Sequence, residues 1–299
     1  MKNKALKRLI FGLLALPVCF SLFSFTIVTP AKNDTVVNKG FKLKTIIIDA
    51  GHGGAPTGTG HFSHGASGSF STERGVTLAV ALKLQKAIEK NVDGVNAVLT
   101  RKTEDDVSFE RRAEIANENK GDLFISLHCN ALPDRTIRER VGTKRGRAIY
   151  KTVRIPDRSG KGVLMLVYGL KRTREQQNEI KHNTLEEDAE NGAVDPNDPI
   201  TIILTNEYIR KFRLRSISFA NILASEFVDT DARKLEGVRE MSLYVLCHSA
   251  MPSVLVEIGY IDNPEEEEYL NSEEGQGAIV NSIVRSIQAY KDKVEQVVK

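Results

Sequence analysis

A chain of 299 residues with 41% apolar and 27% charged side chains has the composition of an ordinary globular protein with a substantial core. Its formal net charge of +3 is small for that length, and no basic block interleaved with aromatics occurs, so nucleic acid is not indicated as a partner. A mildly basic balance still suits an anionic polymer.

Lys2, Lys4, Lys7 and Arg8 precede a mostly apolar run from Leu9 to Val28, followed by Thr29, Pro30 and Ala31. This order reads as an export signal over residues 1–31, and cleavage would leave no stable membrane span. About twenty residues could also cross a bilayer, but Gly12, Pro17, Ser21 and Ser24 dilute the run. Cys19 lacks the preceding small residue that lipoprotein processing requires. The expected location is therefore the periplasm or cell envelope. Residues 32–40 read as a short polar linker, and 41–299 as the folded domain. Beyond the leader only Cys129 and Cys247 remain, too few for a disulfide framework, and both are expected as buried thiols.

Short apolar runs at Thr45–Ile48, Val95–Thr100, Leu123–Leu127, Val163–Val167 and Val254–Ile258 predict strands, most of them nearly continuously apolar and so buried. Between them Val76–Lys90 carries a helical stripe through Val76, Leu82, Leu84 and Ile88, Arg111–Asn119 predicts a shorter helix, and Gly277–Val298 predicts a closing one. Strand and helix in alternation predict a three-layer α/β domain with a central sheet. Lys171–Pro199 breaks the rhythm, being acidic and almost without an apolar stripe, and reads as an insert. Asp198 as N-cap with Pro199 at the first helical position then opens a long helix.

Three of the predicted strands end in chemistry. Ile46-Ile47-Ile48-Asp49-Ala50-Gly51-His52-Gly53-Gly54 delivers a histidine flanked by glycines that leave its imidazole reachable, and Phe124-Ile125-Ser126-Leu127-His128-Cys129-Asn130 repeats the arrangement. Val254-Leu255-Val256-Glu257-Ile258 places a carboxylate inside an apolar strand, where burial demands a partner. Ligands of α/β sheets bind outside the carboxyl ends of the strands. Two histidines and a carboxylate there match the donor set of a catalytic zinc, which takes three protein ligands and keeps one open position. Residue types alone leave the third ligand open between Glu257 and Glu73.

These residues resemble the zinc-dependent N-acetylmuramoyl-L-alanine amidases that share a catalytic domain with bacterial cell-separation amidases. The likeness is carried by Ile48 to Gly54, Glu73-Arg74, Leu99-Thr100-Arg101, Arg112, Ala116-Asn117, Phe124 to Asn130, and Pro252 to Asn263. The resemblance implies a sheet of about six strands, mostly parallel or mixed. It also implies zinc on His52, Glu73 and His128, with Glu257 acting on the attacking water, and hydrolysis of the amide joining N-acetylmuramic acid to L-alanine in peptidoglycan. That chemistry serves wall remodelling and daughter-cell separation. Some similar amidases carry an insert whose helix covers the zinc until an activator protein displaces it. Here 171–199 would be that insert, with Glu179, His182, Glu186, Glu187 or Glu190 as the blocking residue.

Two other functions compete: a zinc peptidase of carboxypeptidase type acting on stem peptides, and a wall-binding module that has lost catalysis. The second would have shed at least one of His52, Glu73, His128 and Glu257. His61 and His64 have metal-compatible spacing, but the resemblance does not include them. His248 reads as a turn residue. Arg101 and Arg112 read as buried ion-pair partners tying a helix to the sheet, and Asn130 reads equally as a turn residue or a substrate contact.

Overall fold

The computed structural model describes residues 41–54, 63–185, 195 and 197–296. The leader, the linker, His61, Glu186, Glu187 and Glu190 lie outside the described residues. The chain runs β1 (Thr45–Ala50), α1 (Glu73–Asn91), β2 (Asn96–Leu99), α2 (Phe109–Glu118), β3 (Leu123–Asn130), β4 (Arg135–Lys144), β5 (Arg147–Ile155), β6 (Val163–Tyr168), α3 (Thr173–Ile180), α4 (Pro199–Asp229), β7 (Leu235–Met241), α5 (Tyr244–Cys247), β8 (Ser253–Tyr260), α6 (Pro264–Asn271) and α7 (Glu273–Glu295).

Six strands form one sheet in the order β2-β1-β3-β8-β6-β7, while β4 and β5 make a separate antiparallel ribbon. From β2 to β8 all neighbours are parallel, and β6 runs antiparallel to β8 with β7 parallel to β6. The sheet is therefore mixed and mostly parallel. Because β1, β3 and β8 are covered on both faces, their sequences are apolar at consecutive positions rather than alternate ones.

Alternation along each strand still sorts side chains into two layers. Ile46, Ile48, Ile125, Leu127, Val254 and Val256 meet α1, α7 and the second half of α4 through Leu84, Ile283, Phe219 and Phe227. Ile47, Phe124, Leu164, Leu166 and Leu255 meet the other layer, where α2, α3, α5 and the first half of α4 contribute Ala116, Ile180, Leu246 and Phe212. Cys129 and Cys247 are free, buried, and belong to opposite layers.

Asp198 caps α4 as expected, its Oδ2 accepting from the Thr201 amide at 3.0 Å with Pro199 at the first turn. The described part of 171–199 differs from a solvated insert. α3 and the π-turn Lys181–Leu185 bury Gln176, Ile180 and Leu185, and Ile180, fully enclosed, joins the second layer of the core. Three strands escape the sequence pattern. β7 is an edge strand, half solvated, and lacks an apolar run. The β4–β5 ribbon is exposed along nearly its whole length.

Candidate metal centre

β1 ends in a buried polar knot that fixes the following loop. Asp49, 1% exposed, accepts from Arg112 Nη1 at 2.7 Å, from Thr100 Oγ1 at 2.7 Å and from Ser126 Oγ at 2.6 Å. Burial opposes its charge, but Arg112 and the two hydroxyls outweigh that and hold its carboxyl below the usual range. Arg112 also donates to the carbonyls of Ala50 at 2.6 Å and His52 at 2.7 Å. Arg101 adds bonds to the carbonyls of Ala50 and Gly51 at 2.8 and 2.9 Å. The two arginines therefore do more than tie helix to sheet, because they satisfy the backbone that carries His52.

His52 adopts a left-handed φ of 61°, an uncommon state for a residue with a side chain. Its Nδ1 faces Ser63, 2.7 Å from Oγ and 3.1 Å from the carbonyl, so that Nδ1–H donates to Ser63 and Nε2 is free to bind a ligand. That Nε2 lies 3.0 Å from Glu73 Oε1. His128 Nδ1, on β3, lies 3.0 Å from the same oxygen. Glu73 opens α1, its Oε1 accepting from the Cys129 amide at 3.0 Å and its Oε2 from the Ala66 amide at 2.8 Å. Burial raises its pKa, but the bonds from His128 and His52 prevail and hold the carboxyl well below its ordinary value.

Glycines make room for this convergence. A Cβ on Gly51 would overlap the His128 imidazole and approach the Leu127 carbonyl to 2.7 Å. Gly65, at φ +72°, would meet Glu73 Oε2 at 2.7 Å and His52 at 2.8 Å. The loop before α1 is pinned from the far end of the chain, Glu267 accepting from the amides of Ser69, Phe70 and Ser71 at 2.8 Å each.

One ligand atom from each of His52, Glu73 and His128 lies within 4.8 Å of the others, the only such His/Cys/Asp/Glu cluster among the described residues. Two imidazole nitrogens aimed at one carboxylate oxygen fit a cation that all three would share, and the donor set is one that zinc accepts. Glu257 stands beside the cluster, opposite His128 across the β3–β8 pair, and its Oε2 is buried without a hydrogen-bond partner. Burial pushes its pKa up to about 7, with His128 opposing and Glu73 reinforcing the shift. Residue types alone left the third ligand open between Glu73 and Glu257, and the family resemblance implied Glu73. The geometry groups Glu73 with the histidines and sets Glu257 apart.

Other candidates fall elsewhere. His64 Nδ1 is 2.9 Å from Arg74 Nη1. His248 stacks on Tyr244 at 3.9 Å, and its nitrogens meet Glu179 at 2.9 Å and Glu175 at 3.1 Å. Asn130 accepts from the Ala131 amide at 2.9 Å and donates to the Tyr260 hydroxyl at 3.1 Å. The described part of 171–199 does not cover the cluster. Leu164 of β6 pairs with Glu257, so Tyr168, four residues on, leaves the sheet about 13 Å further from the cluster, towards the amino end of β8. There Glu179 is tied to His248 and Asn117. The sequence reading gave no role to Asp49, Ser63 or Glu267, although Asp49, a carboxylate at the end of an apolar strand, carries the same demand for a partner as Glu257; a serine in a glycine-rich loop and a glutamate in an acidic run carry no signal.

The model of the N-acetylmuramoyl-L-alanine amidase family matches residues 46–289. The amidase AmiA of Escherichia coli is 25% identical over 247 residues, 83% of this chain and 76% of that protein. AmiA of Salmonella typhimurium is 27% identical over the same length, with the same coverage. Among solved structures, the catalytic domain of CwlV, an N-acetylmuramoyl-L-alanine amidase from Bacillus (Paenibacillus) polymyxa var. colistinus, aligns with a TM-score of 0.56 at 22% identity. That alignment covers 83% of this chain and 98% of the other, a likeness of fold. The family match spans the strands that carry His52, His128 and Glu257 and the helix that begins at Glu73, and the chain belongs to the N-acetylmuramoyl-L-alanine amidase family.

Proposed function

We propose that His52, Glu73 and His128 hold a zinc ion and that Glu257 is the proton-transfer group of the amidase. The activity itself follows from the family: hydrolysis of the amide between N-acetylmuramic acid and L-alanine in peptidoglycan. The observation that carries the assignment is the difference between the two carboxylates. Glu73 is held ionised by two imidazoles and two amides, as a ligand must be, whereas Glu257 has an unbonded Oε2 and a pKa of about 7.

His52, Glu73 and His128 would hold a divalent ion, which when bound would supply Lewis acidity towards the scissile carbonyl and the attacking water. Glu257 takes the proton of the attacking water on its carboxylate as the C–O bond forms. It returns that proton to the departing nitrogen as the C–N bond breaks, because an amide nitrogen leaves only when protonated. Ser63 keeps His52 in the tautomer that presents Nε2. The Asp49–Arg112 pair holds the His52 carbonyl and hence the loop geometry. Gly51 leaves the space that the His128 ring fills.

The basic and apolar leader supports export to the cell envelope, and no helix among the described residues is long and apolar enough to cross a membrane. Regulation by a displaced insert finds no support in α3, which packs at the far end of β8.

Purified peptidoglycan is digested with residues 32–299, with and without chelator and added zinc, and the products are identified by mass spectrometry. Free stem peptides beside intact glycan, lost on chelation and restored by zinc, are expected. Shortened stems still attached to glycan would replace this reading with a stem-peptide carboxypeptidase.

A further inference from the structure

The ribbon of β4 and β5 has no place in the mechanism so far. Between Arg135 and Ile155 it carries eight lysines and arginines against one acid, Glu139, an excess larger than the +3 of the whole chain. Outside the ribbon the sequence is therefore net acidic, and the positive charge is concentrated on one projecting element. All of β4 except Gly142 is exposed, and on β5 only Val153 and Ile155 are partly covered. A two-stranded ribbon standing alone in water is marginally stable, so this one has little burial of its own to hold it.

Its two faces differ. Cross-strand pairs share a face, and the pairing Thr136–Arg154, Arg138–Thr152 and Arg140–Tyr150 sets three arginines, two threonines and a tyrosine on one side with no carboxylate. The Arg138 guanidinium lies 5.1 Å from the Tyr150 ring centre, and Arg140 donates to Thr143 Oγ1 at 2.9 Å. None of Arg138, Arg140 and Arg154 forms an ion pair among the described residues. Glu139 and the apolar Ile137, Ile149 and Val153 occupy the other side. Guanidinium forks match carboxylates bidentately, hydroxyls suit sugar hydroxyls, and an exposed aromatic ring offers a platform for a sugar face.

The root of the ribbon is fixed next to the catalytic cluster. β4 begins five residues after Asn130, itself two residues beyond His128. The Leu132 amide is bonded to Asp262 at 2.9 Å, and Asn263 donates to the carbonyls of Arg158 and Gly160 at 2.9 Å each. Both arms are thus clamped to the loop that follows the strand of Glu257.

We propose that the Arg138–Arg140–Arg154–Tyr150 face is a second binding surface for peptidoglycan, holding the glycan strand, anionic wherever a stem peptide has already been removed, beside the position being cut. This rests on the amidase reading of the cluster. The reaction strengthens the fit: each hydrolysis adds water across the amide, leaving a lactyl carboxylate on the glycan and an ammonium on the departing peptide. The glycan becomes more anionic with every cut, so the ribbon retains the strand while the next muramoyl unit is reached.

The triple variant R138Q/R140Q/R154Q is compared with R147Q/K151Q, which neutralises cations outside that face, in the 32–299 protein. Binding to sacculi, partly digested beforehand with the wild-type protein and stripped of phosphodiester polymers by acid, is measured by sedimentation in an E257Q background. Turnover is measured on sacculi and on a soluble N-acetylmuramoyl-tripeptide that reaches only the cluster. The triple variant is expected to lose at least tenfold in binding, and tenfold more turnover on sacculi than on the fragment, with an unchanged Tm. The control is expected to lose less than threefold. Equal losses in both variants would reduce the effect to bulk charge and overturn the proposal, as would undiminished binding by the triple variant. Binding that vanishes on acid stripping, or that transfers to phosphatidylglycerol vesicles, would also overturn it. Fragment turnover absent from the wild type would refute the amidase reading instead, while the sedimentation result would still judge the ribbon.

Discussion

Glu257 lies directly across the parallel β3–β8 pair from His128, and its Oε2 is enclosed without a hydrogen-bond partner. Replacing its carboxylate by an amide keeps the shape and removes the proton acceptor. Glu257→Gln should lower kcat on peptidoglycan by 10²-fold or more, within the range of about 10²–10⁴ for general acid–base groups. Its metal content by atomic absorption should match the wild type. A variant that loses metal in parallel with activity would make Glu257 a ligand.

The same carboxylate sets a pH signature in the metal-free protein. Its folded pKa of about 7 lies above the ordinary 4.5, so its contribution to stability is complete below pH 4.5 and is lost as pH rises through 7. The shift corresponds to at most about 3 kcal/mol. In chelator, Glu257→Gln should gain up to that amount over the wild type between pH 4.5 and pH 8, read from urea midpoints. A constant difference across that range would deny the shift.

Asp49 and Arg112, 1% and 2% exposed, form a buried pair at 2.7 Å. Asp49→Ala removes the nearer carboxylate of the guanidinium, leaving only Asp106 at 3.9 Å, and should cost about 3 kcal/mol of stability. Because Arg112 also holds the His52 carbonyl, zinc affinity by competition with a fluorescent chelator should fall at least tenfold. Stability lost with zinc affinity intact would separate the pair from the cluster.

Gly51 is required by the ring of His128 rather than by its own backbone angle. Gly51→Ala should displace that ring and cut zinc affinity about 10–100-fold, the scale seen when groups that orient a ligand are disturbed. Far-ultraviolet circular dichroism should stay unchanged. Wild-type affinity in the alanine variant would mean that the ring has slack.

Deletion of residues 171–199 bears on the idea of a displaceable cover. Ile180 is fully buried in the second core layer, and each such side chain lost costs about 2–5 kcal/mol. The deletion should lower Tm and leave the basal rate no higher. A faster enzyme would restore the cover.

The buried parts of this fold were legible because burial on both faces writes continuous apolar runs. β1, β3, β6 and β8 announce themselves in that way, and His52, His128 and Glu257 stand out at their ends. β7 and the ribbon did not, since solvated strands carry no such run. Residue types did not separate Glu73 from Glu257 as ligand; the family resemblance implied Glu73, and the fold puts that carboxylate within reach of both imidazoles. Nor could spacing show that Arg101 and Arg112 serve backbone carbonyls, or that α3 anchors in the core through one isoleucine.

The strand in the middle of the sheet is the last one in the chain. β8 sits between β3 and β6, whose first residues precede it by 130 and 90 positions. Until Ser253–Tyr260 has been synthesised, β3 and β6 each lack a neighbour, and His52, Glu73 and His128 exist without Glu257. Such long-range pairing is slow to form and is contributed late by the chain. On the role proposed for Glu257, a chain that ends before β8 has the three ligands without the proton-transfer group, and closing the sheet completes the site.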